Sequence, residues 1–136
     1  MEVIINSLEE FNSLITGKLP VVVDFYADWC GPCKMMSPHI EAATIKYKNI
    51  VEVVKVNVDT LNEISAKYDV TSIPTVVFIK GGELIHTSIG AISPSKLNEL
   101  IEEKFGITAA MMVSTEMKTE ATEEPKKKSK KTEATK

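Results

Sequence analysis

Over its first 106 residues the hydrophobic period of this chain switches repeatedly between about 2 and about 3.6, so strands and helices must alternate along it. Residues 2–5 read as a short strand. Ser7-Leu8-Glu9-Glu10 is a capping box that opens an amphipathic helix through Leu8, Phe11, Leu14 and Ile15, which Gly17 closes. Residues 19–27 form a Val-rich apolar run suited to a central strand buried on both faces. A helix follows from Pro32 to about Tyr47, with Pro38 expected to kink it. Residues 51–58 are again β-rich, and Thr60-Leu61-Asn62-Glu63 predicts a second capping box before a short helix ending near Tyr68. Residues 75–80 and 83–88 flank Gly81-Gly82, the signal of a two-residue hairpin turn. Ser93 and Pro94 start a last helix carrying Leu97, Leu100, Ile101 and Phe105, and Gly106 stops it. The early crossovers favour parallel pairing and the final hairpin must be antiparallel. The expectation is an α/β fold with a central mixed five-stranded sheet flanked by four helices.

Past Gly106 the composition changes abruptly. Residues 107–136 hold seven of the sixteen Lys and five of the nineteen acidic residues, with no Phe, Tyr or Trp. Such a segment buries too little apolar surface to offset its ordering entropy, so a disordered tail is expected after a domain at 1–106. The domain carries net charge −5 and the tail +2. Within the tail, Pro125-Lys126-Lys127-Lys128-Ser129-Lys130-Lys131 resembles a nuclear localisation signal, but Glu and Lys alternate through the surrounding residues, and a solvated extension is the more frequent outcome of such composition. All sixteen cations are Lys, and without Arg there is no bidentate guanidinium clamp for phosphate or carboxylate. Nucleotide chemistry built on such a clamp is excluded. No apolar run reaches the roughly 18 residues needed to span a bilayer, and the acidic first eleven residues do not resemble a secretory leader. A cytoplasmic monomer is expected, with neither a membrane nor a nucleic acid as partner.

Two cysteines cannot build the disulfide framework of a small secreted domain, and their spacing points to chemistry. They lie in Trp29-Cys30-Gly31-Pro32-Cys33-Lys34, at the junction of the Val-rich strand and the next helix. Cys30 falls at the helix start, where unpaired N–H groups and the positive dipole end favour a thiolate, the species that attacks a disulfide. Cys33, one turn further in, lies on the same face and within reach, so it is placed to cleave a mixed disulfide. Gly31 permits the tight turn, and Pro32 fixes φ where no N–H bond is needed. A zinc site requires two further ligands, and only His39 and His86 are on offer, in no finger-like spacing. An inert disulfide is the other alternative, although its four-residue loop constrains little of the unfolded chain. Asp24 interrupts the apolar strand, where a carboxylate must be protonated, paired or satisfied by a backbone donor.

The block from Val23 through Asp24, Phe25, Tyr26, Ala27, Asp28 and the dithiol motif to Lys34 resembles the thioredoxin family. So do Val54-Lys55-Val56-Asn57-Val58-Asp59, Ser72-Ile73-Pro74-Thr75 and Gly90-Ala91, in consistent order over about residues 1–106. The resemblance implies the thioredoxin fold, with its first strand at an edge and residues 19–27 in the middle. It also implies a protein disulfide reductase that cycles between dithiol and disulfide at Cys30 and Cys33. By the same resemblance Asp24 exchanges a proton with Cys33, Lys55 pairs with Asp24, and Ile73-Pro74 is a cis bond. That bond exposes the Ile73 backbone to an extended substrate segment. Trp29, Gly31, Pro32, Ile73, Pro74, Gly90 and Ala91 then form an apolar docking patch. Tyr26 is assigned to packing beside the active strand. No cofactor or metal is expected to be bound; a separate thioredoxin reductase supplies electrons, and disulfide-bearing proteins are the substrates. Gly-Pro between the cysteines resembles the reducing members of the family. An isomerase or oxidant, or a binding module whose dithiol is incidental, remains the competing reading.

Overall fold

The Val-rich run lies in the middle of the sheet, as its lack of polar alternation requires. In a computed structural model, which describes residues 3–112, the elements run α1 (Leu8–Ile15), β1 (Val21–Tyr26), α2 (Gly31–Lys46), β2 (Glu52–Asn57), α3 (Asn62–Lys67), β3 (Thr75–Lys80), β4 (Glu83–Ile89) and α4 (Pro94–Phe105). The sheet order is β2-β1-β3-β4. β1 pairs in parallel with β2, placing Asp24 beside Lys55, and antiparallel with β3. The β3–β4 hairpin turns through Gly81 and Gly82 at φ 61° and 79°, the positive values a two-residue turn of this kind demands.

Side chains alternate across the strands. Val21, Val23 and Phe25 join Val54, Val56, Val77 and Ile79 on one face and pack against Phe11 and Ile15 of α1 and Ile64 of α3. The opposite face carries Val22, Asp24, Val53, Lys55, Val76 and Phe78, all buried. Helices α2 and α4 lie against this face. Lys55 reaches Ser37 of α2, and the rings of Phe78 and Phe105 are 5.9 Å apart. The Tyr47 hydroxyl, at the end of α2, donates to the Glu102 carboxylate of α4. Burial and that carboxylate both raise the Tyr47 pKa, so the phenol stays protonated and keeps donating.

The expected fifth strand is not formed, and the sheet has four strands among the described residues. Ile4 makes one isolated parallel bridge to Lys55, supported by bonds from Lys55 N–H to the Val3 carbonyl and from Ile5 N–H to the Lys55 carbonyl. The segment leaves the sheet after Ile5 because the helix cap claims the next residues. Ser7 Oγ accepts from Glu10 N–H at 3.0 Å, and the Glu10 carboxylate accepts from Asn6 N–H at 2.8 Å. The edge position of this segment, beside β2, and the central position of β1 agree with the expected order.

A second correction concerns α3. Its N-cap is Leu61, which makes no side-chain cap bond, so the box expected at Thr60 is absent. Leu61 is buried in the core, and that burial sets where the helix starts. The Thr60 hydroxyl instead donates to the Asn57 carbonyl. Helix α4 follows the expectation: Ser93 Oγ accepts from Lys96 N–H at 3.1 Å, Pro94 is the first helical residue, and Gly106 ends the helix at φ 67°. Helix α2 continues through Pro38 to Lys46.

By contact density the chain divides after Gly106. In the second unit, Thr108 caps one helical turn at 109–112, its hydroxyl and carbonyl both accepting from Met111 N–H. The rest of the expected disordered tail, residues 113–136 with the Lys-rich run, lies outside the described residues. Among the described residues, no helix is long and apolar enough to cross a membrane.

Candidate active site

The dithiol sits where β1 ends and α2 begins. Cys30 is the N-cap residue of α2, in extended conformation, and its sulfur accepts a bond from Cys33 N–H at 3.2 Å. An N-cap side chain normally supplies an oxygen to such a donor, so here a sulfur stands in that role. No acidic residue occupies the first turn of the 16-residue α2 to offset the positive end of its dipole. Pro32, in that first turn, has no N–H to satisfy. Cys30 and Cys33 form a disulfide with their Cα atoms 5.3 Å apart. Both residues are nearly buried, at 4% and 3% exposure, packed with Ala27 and flanked by Tyr26, Val58 and Ile73.

Around the pair the chain converges from separate loops. The Ile73–Pro74 bond is cis, and the Ile73 carbonyl oxygen lies 3.9 Å from Cys30 Sγ. Gly90 N–H donates to the Pro74 carbonyl at 2.8 Å, which brings Gly90 and Ala91 to the same side. Gly90 has φ 96°, a conformation that residues with a Cβ rarely adopt. Trp29 is 70% exposed, beside exposed Gly31 and Pro32. Of the residues expected to form a docking patch, Trp29, Gly31, Pro32 and Ala91 are exposed, Ile73 and Gly90 are half-buried, and Pro74 is buried.

Asp24 and Lys55 are neighbours across β1 and β2, on the face that α2 covers. Asp24 has no exposed surface and Lys55 is 7% exposed. The Lys55 ammonium donates to Ser37 Oγ at 3.2 Å and lies 4.4 Å from the centroid of the Tyr26 ring. A cleft of about 340 Å³ opens here, with Tyr26, Asp28, Cys33, Lys34, Ser37 and Lys55 in its wall. Cys33 and the buried Lys55 thus line the same cleft. His39 bonds through Nδ1 with the Ile92 carbonyl, and His86 lies tilted against the Phe78 ring with its pKa lowered, mainly by burial and next by Lys104. Neither contacts the dithiol in any of these interactions, and among the described residues no cluster of three His, Cys, Asp or Glu is placed to hold a metal.

Three roles escaped the sequence reading. Asp59 accepts from the Trp29 indole N–H at 2.8 Å and so fixes the exposed ring. The available signal was topological: β1 and β2 are parallel neighbours, so the residues following each meet at the same end of the sheet. Ser37 and the face of Tyr26 are partners of Lys55, and no local motif announces either. Met36 is the third, its sulfur accepting from Ile92 N–H at 3.3 Å and joining the loop after β4 to α2.

The thioredoxin family model matches residues 2–103. A thioredoxin from Porphyra purpurea is 43% identical over 90 residues, which cover 66% of this chain and 84% of that protein. The oxidized form of mitochondrial thioredoxin 3 from Saccharomyces cerevisiae superposes with a TM-score of 0.68 at 41% identity, over 75% of this chain and 94% of the other. A chain from a structure describing thiol resolution in a yeast mitochondrial 1-Cys peroxiredoxin through the glutathione and thioredoxin systems gives 0.68 at 40% identity, over 75% and 94%. Thioredoxins are disulfide reductases that bind no cofactor and are themselves reduced by thioredoxin reductase. With the family model, the relatives' identity and the redox pair at Cys30 and Cys33 in agreement, the chain belongs to the thioredoxin family of thiol-disulfide oxidoreductases.

Proposed function

We propose that Cys30 is the attacking sulfur and Cys33 the resolving one, and the observation that carries this is the Cys33 N–H bond to Cys30 Sγ at the start of α2. In the reduced protein that donor and the helix dipole both favour a negative sulfur at position 30. The Cys30 thiolate attacks a target disulfide; an S–S bond forms to Cys30, and the other target sulfur leaves as a thiolate and takes up a proton. Cys33 then loses its proton to Asp24 and attacks Cys30 Sγ. The Cys30–Cys33 bond forms, the second target thiolate departs, and two electrons have passed from the protein to the target. Lys55, in register with Asp24, favours the carboxylate that accepts the Cys33 proton.

The target docks as an extended segment across Trp29, Gly31, Pro32, Ile73, Pro74, Gly90 and Ala91, pairing with the backbone of Ile73. Support comes from the nearness of the Ile73 carbonyl to Cys30 and from the exposure of Trp29. A thioredoxin reductase recharges the disulfide, and disulfide-bearing proteins are its substrates; the protein works as a monomer made of a domain at 1–106 and an accessory tail at 107–136. A reducing compartment such as the cytosol suits a dithiol that must be kept reduced. Nuclear entry through the Lys-rich run is the second location its composition favours. The test is trapping: Cys33→Ser should accumulate mixed disulfides through Cys30 with proteins in a native lysate. Equal capture by Cys30→Ser would contradict the assignment of the nucleophile.

A further inference from the structure

We propose that Tyr26 is a positioning residue for the proton transfer between Cys33 and Asp24: its ring face and the Ser37 hydroxyl together hold the Lys55 ammonium on the Asp24 side of the sheet. This rests on the reading of Asp24 as proton acceptor given above.

Tyr26 and Asp24 are two residues apart on β1, so their side chains leave the same face of the strand. Lys55 lies beside Asp24 in register, and its ammonium sits 4.4 Å from the Tyr26 centroid, inside the roughly 6 Å at which a ring face attracts a cation. Ser37 Oγ, 3.2 Å away, accepts a hydrogen bond from it. Lysine is a point charge on a flexible four-carbon stem, and it seeks water unless something fixes it. Here the cleft beside Lys55 gives it a way out. The ring therefore decides how much of the time the ammonium stays over the sheet. A cation held near a carboxylate favours its ionised form, the form able to take the Cys33 proton. The other charged groups facing the cleft are Asp28, which follows β1, and Lys34 of α2. Both are exposed and of opposite sign, so screening leaves them little influence on Asp24. The ring face carries the effect, so Phe should replace Tyr and Trp should strengthen it.

The experiment is the pH–rate profile for single-turnover reduction of a protein disulfide by the reduced full-length chain. Tyr26→Phe should overlay the unaltered chain. Tyr26→Leu should move the acid limb to higher pH by about half to one unit, leaving the alkaline plateau within about twofold. Tyr26→Trp should leave the limb in place or move it to lower pH. In an Asp24→Asn background the Tyr26→Leu shift should vanish. A Tyr26→Leu profile identical to the unaltered one would overturn the proposal, as would a Tyr26→Phe shift as large as that of Tyr26→Leu. If Asp24→Asn leaves the profile unchanged, the reading of Asp24 fails and this inference falls with it. If Asp24→Asn changes the profile and Tyr26→Leu does not, only the role of Tyr26 is lost. Should Tyr26→Leu not fold, NMR of the unaltered chain decides. Lys55 ε-methylene protons displaced upfield by the ring support the proposal, and random-coil positions refute it.

Discussion

Asp24 is wholly buried between Val23 and Phe25 on β1, beside Lys55 of β2, and burying a carboxylate is costly unless it is protonated or paired. Asp24→Asn should raise the unfolding free energy by on the order of 1 kcal/mol or more, since an amide is cheaper to bury. The same change should slow disulfide reduction near pH 7 by roughly tenfold, as expected for the loss of a positioned proton acceptor. Denaturant titration and turnover on insulin measure the two effects, and unchanged turnover removes Asp24 from the mechanism. At this scale the sequence was informative where a role is local. Cys30, Gly31, Pro32 and Cys33 adjoin, so their relation follows from helix geometry alone. The bonds from Trp29 to Asp59 and from Lys55 to Ser37 were not legible, because these residues meet only through the β1–β2 register and the seating of α2.

Among the elements, helix starts separate what a motif predicts from what burial decides. The Ser7 box forms because the apolar residues of α1 begin after it, so capping and packing demand the same register. At Thr60 they conflict, and the burial of Leu61 wins. Ser7→Ala should therefore cost about 0.5–2 kcal/mol of stability. Thr60→Ala should stay within about 0.5 kcal/mol, as for an exposed site without a structural bond of consequence. Urea midpoints compare them, and equal losses would contradict the account. The missing edge strand has the same origin. Residues 3–5 carry a strand-like pattern, but the cap bond from Asn6 to Glu10 takes the backbone away after a single bridge. A hydrophobic pattern cannot show which neighbour will claim the next residue. The hairpin at Gly81-Gly82 and the stop at Gly106 were legible because both need positive φ, which glycine alone supplies without strain.

For the whole molecule, the order β2-β1-β3-β4 brings the dithiol, the Ile73–Pro74 segment and the Gly90 loop together from distant parts of the chain. None of these contacts needs residues 107–136, so deleting that stretch should leave insulin reduction within about twofold; a large loss would show that the working unit extends past Gly106. The central claim concerns one sulfur. At the N-cap of α2, with Cys33 N–H as donor and no acidic side chain in the first turn, Cys30 of the reduced protein should be a thiolate at lower pH than an ordinary cysteine. Its rate of alkylation by iodoacetamide against pH measures this directly. The account predicts a midpoint below the ordinary value of about 8.5 and faster reaction than free cysteine at pH 7. A midpoint at or above that value, with no rate advantage, would contradict it.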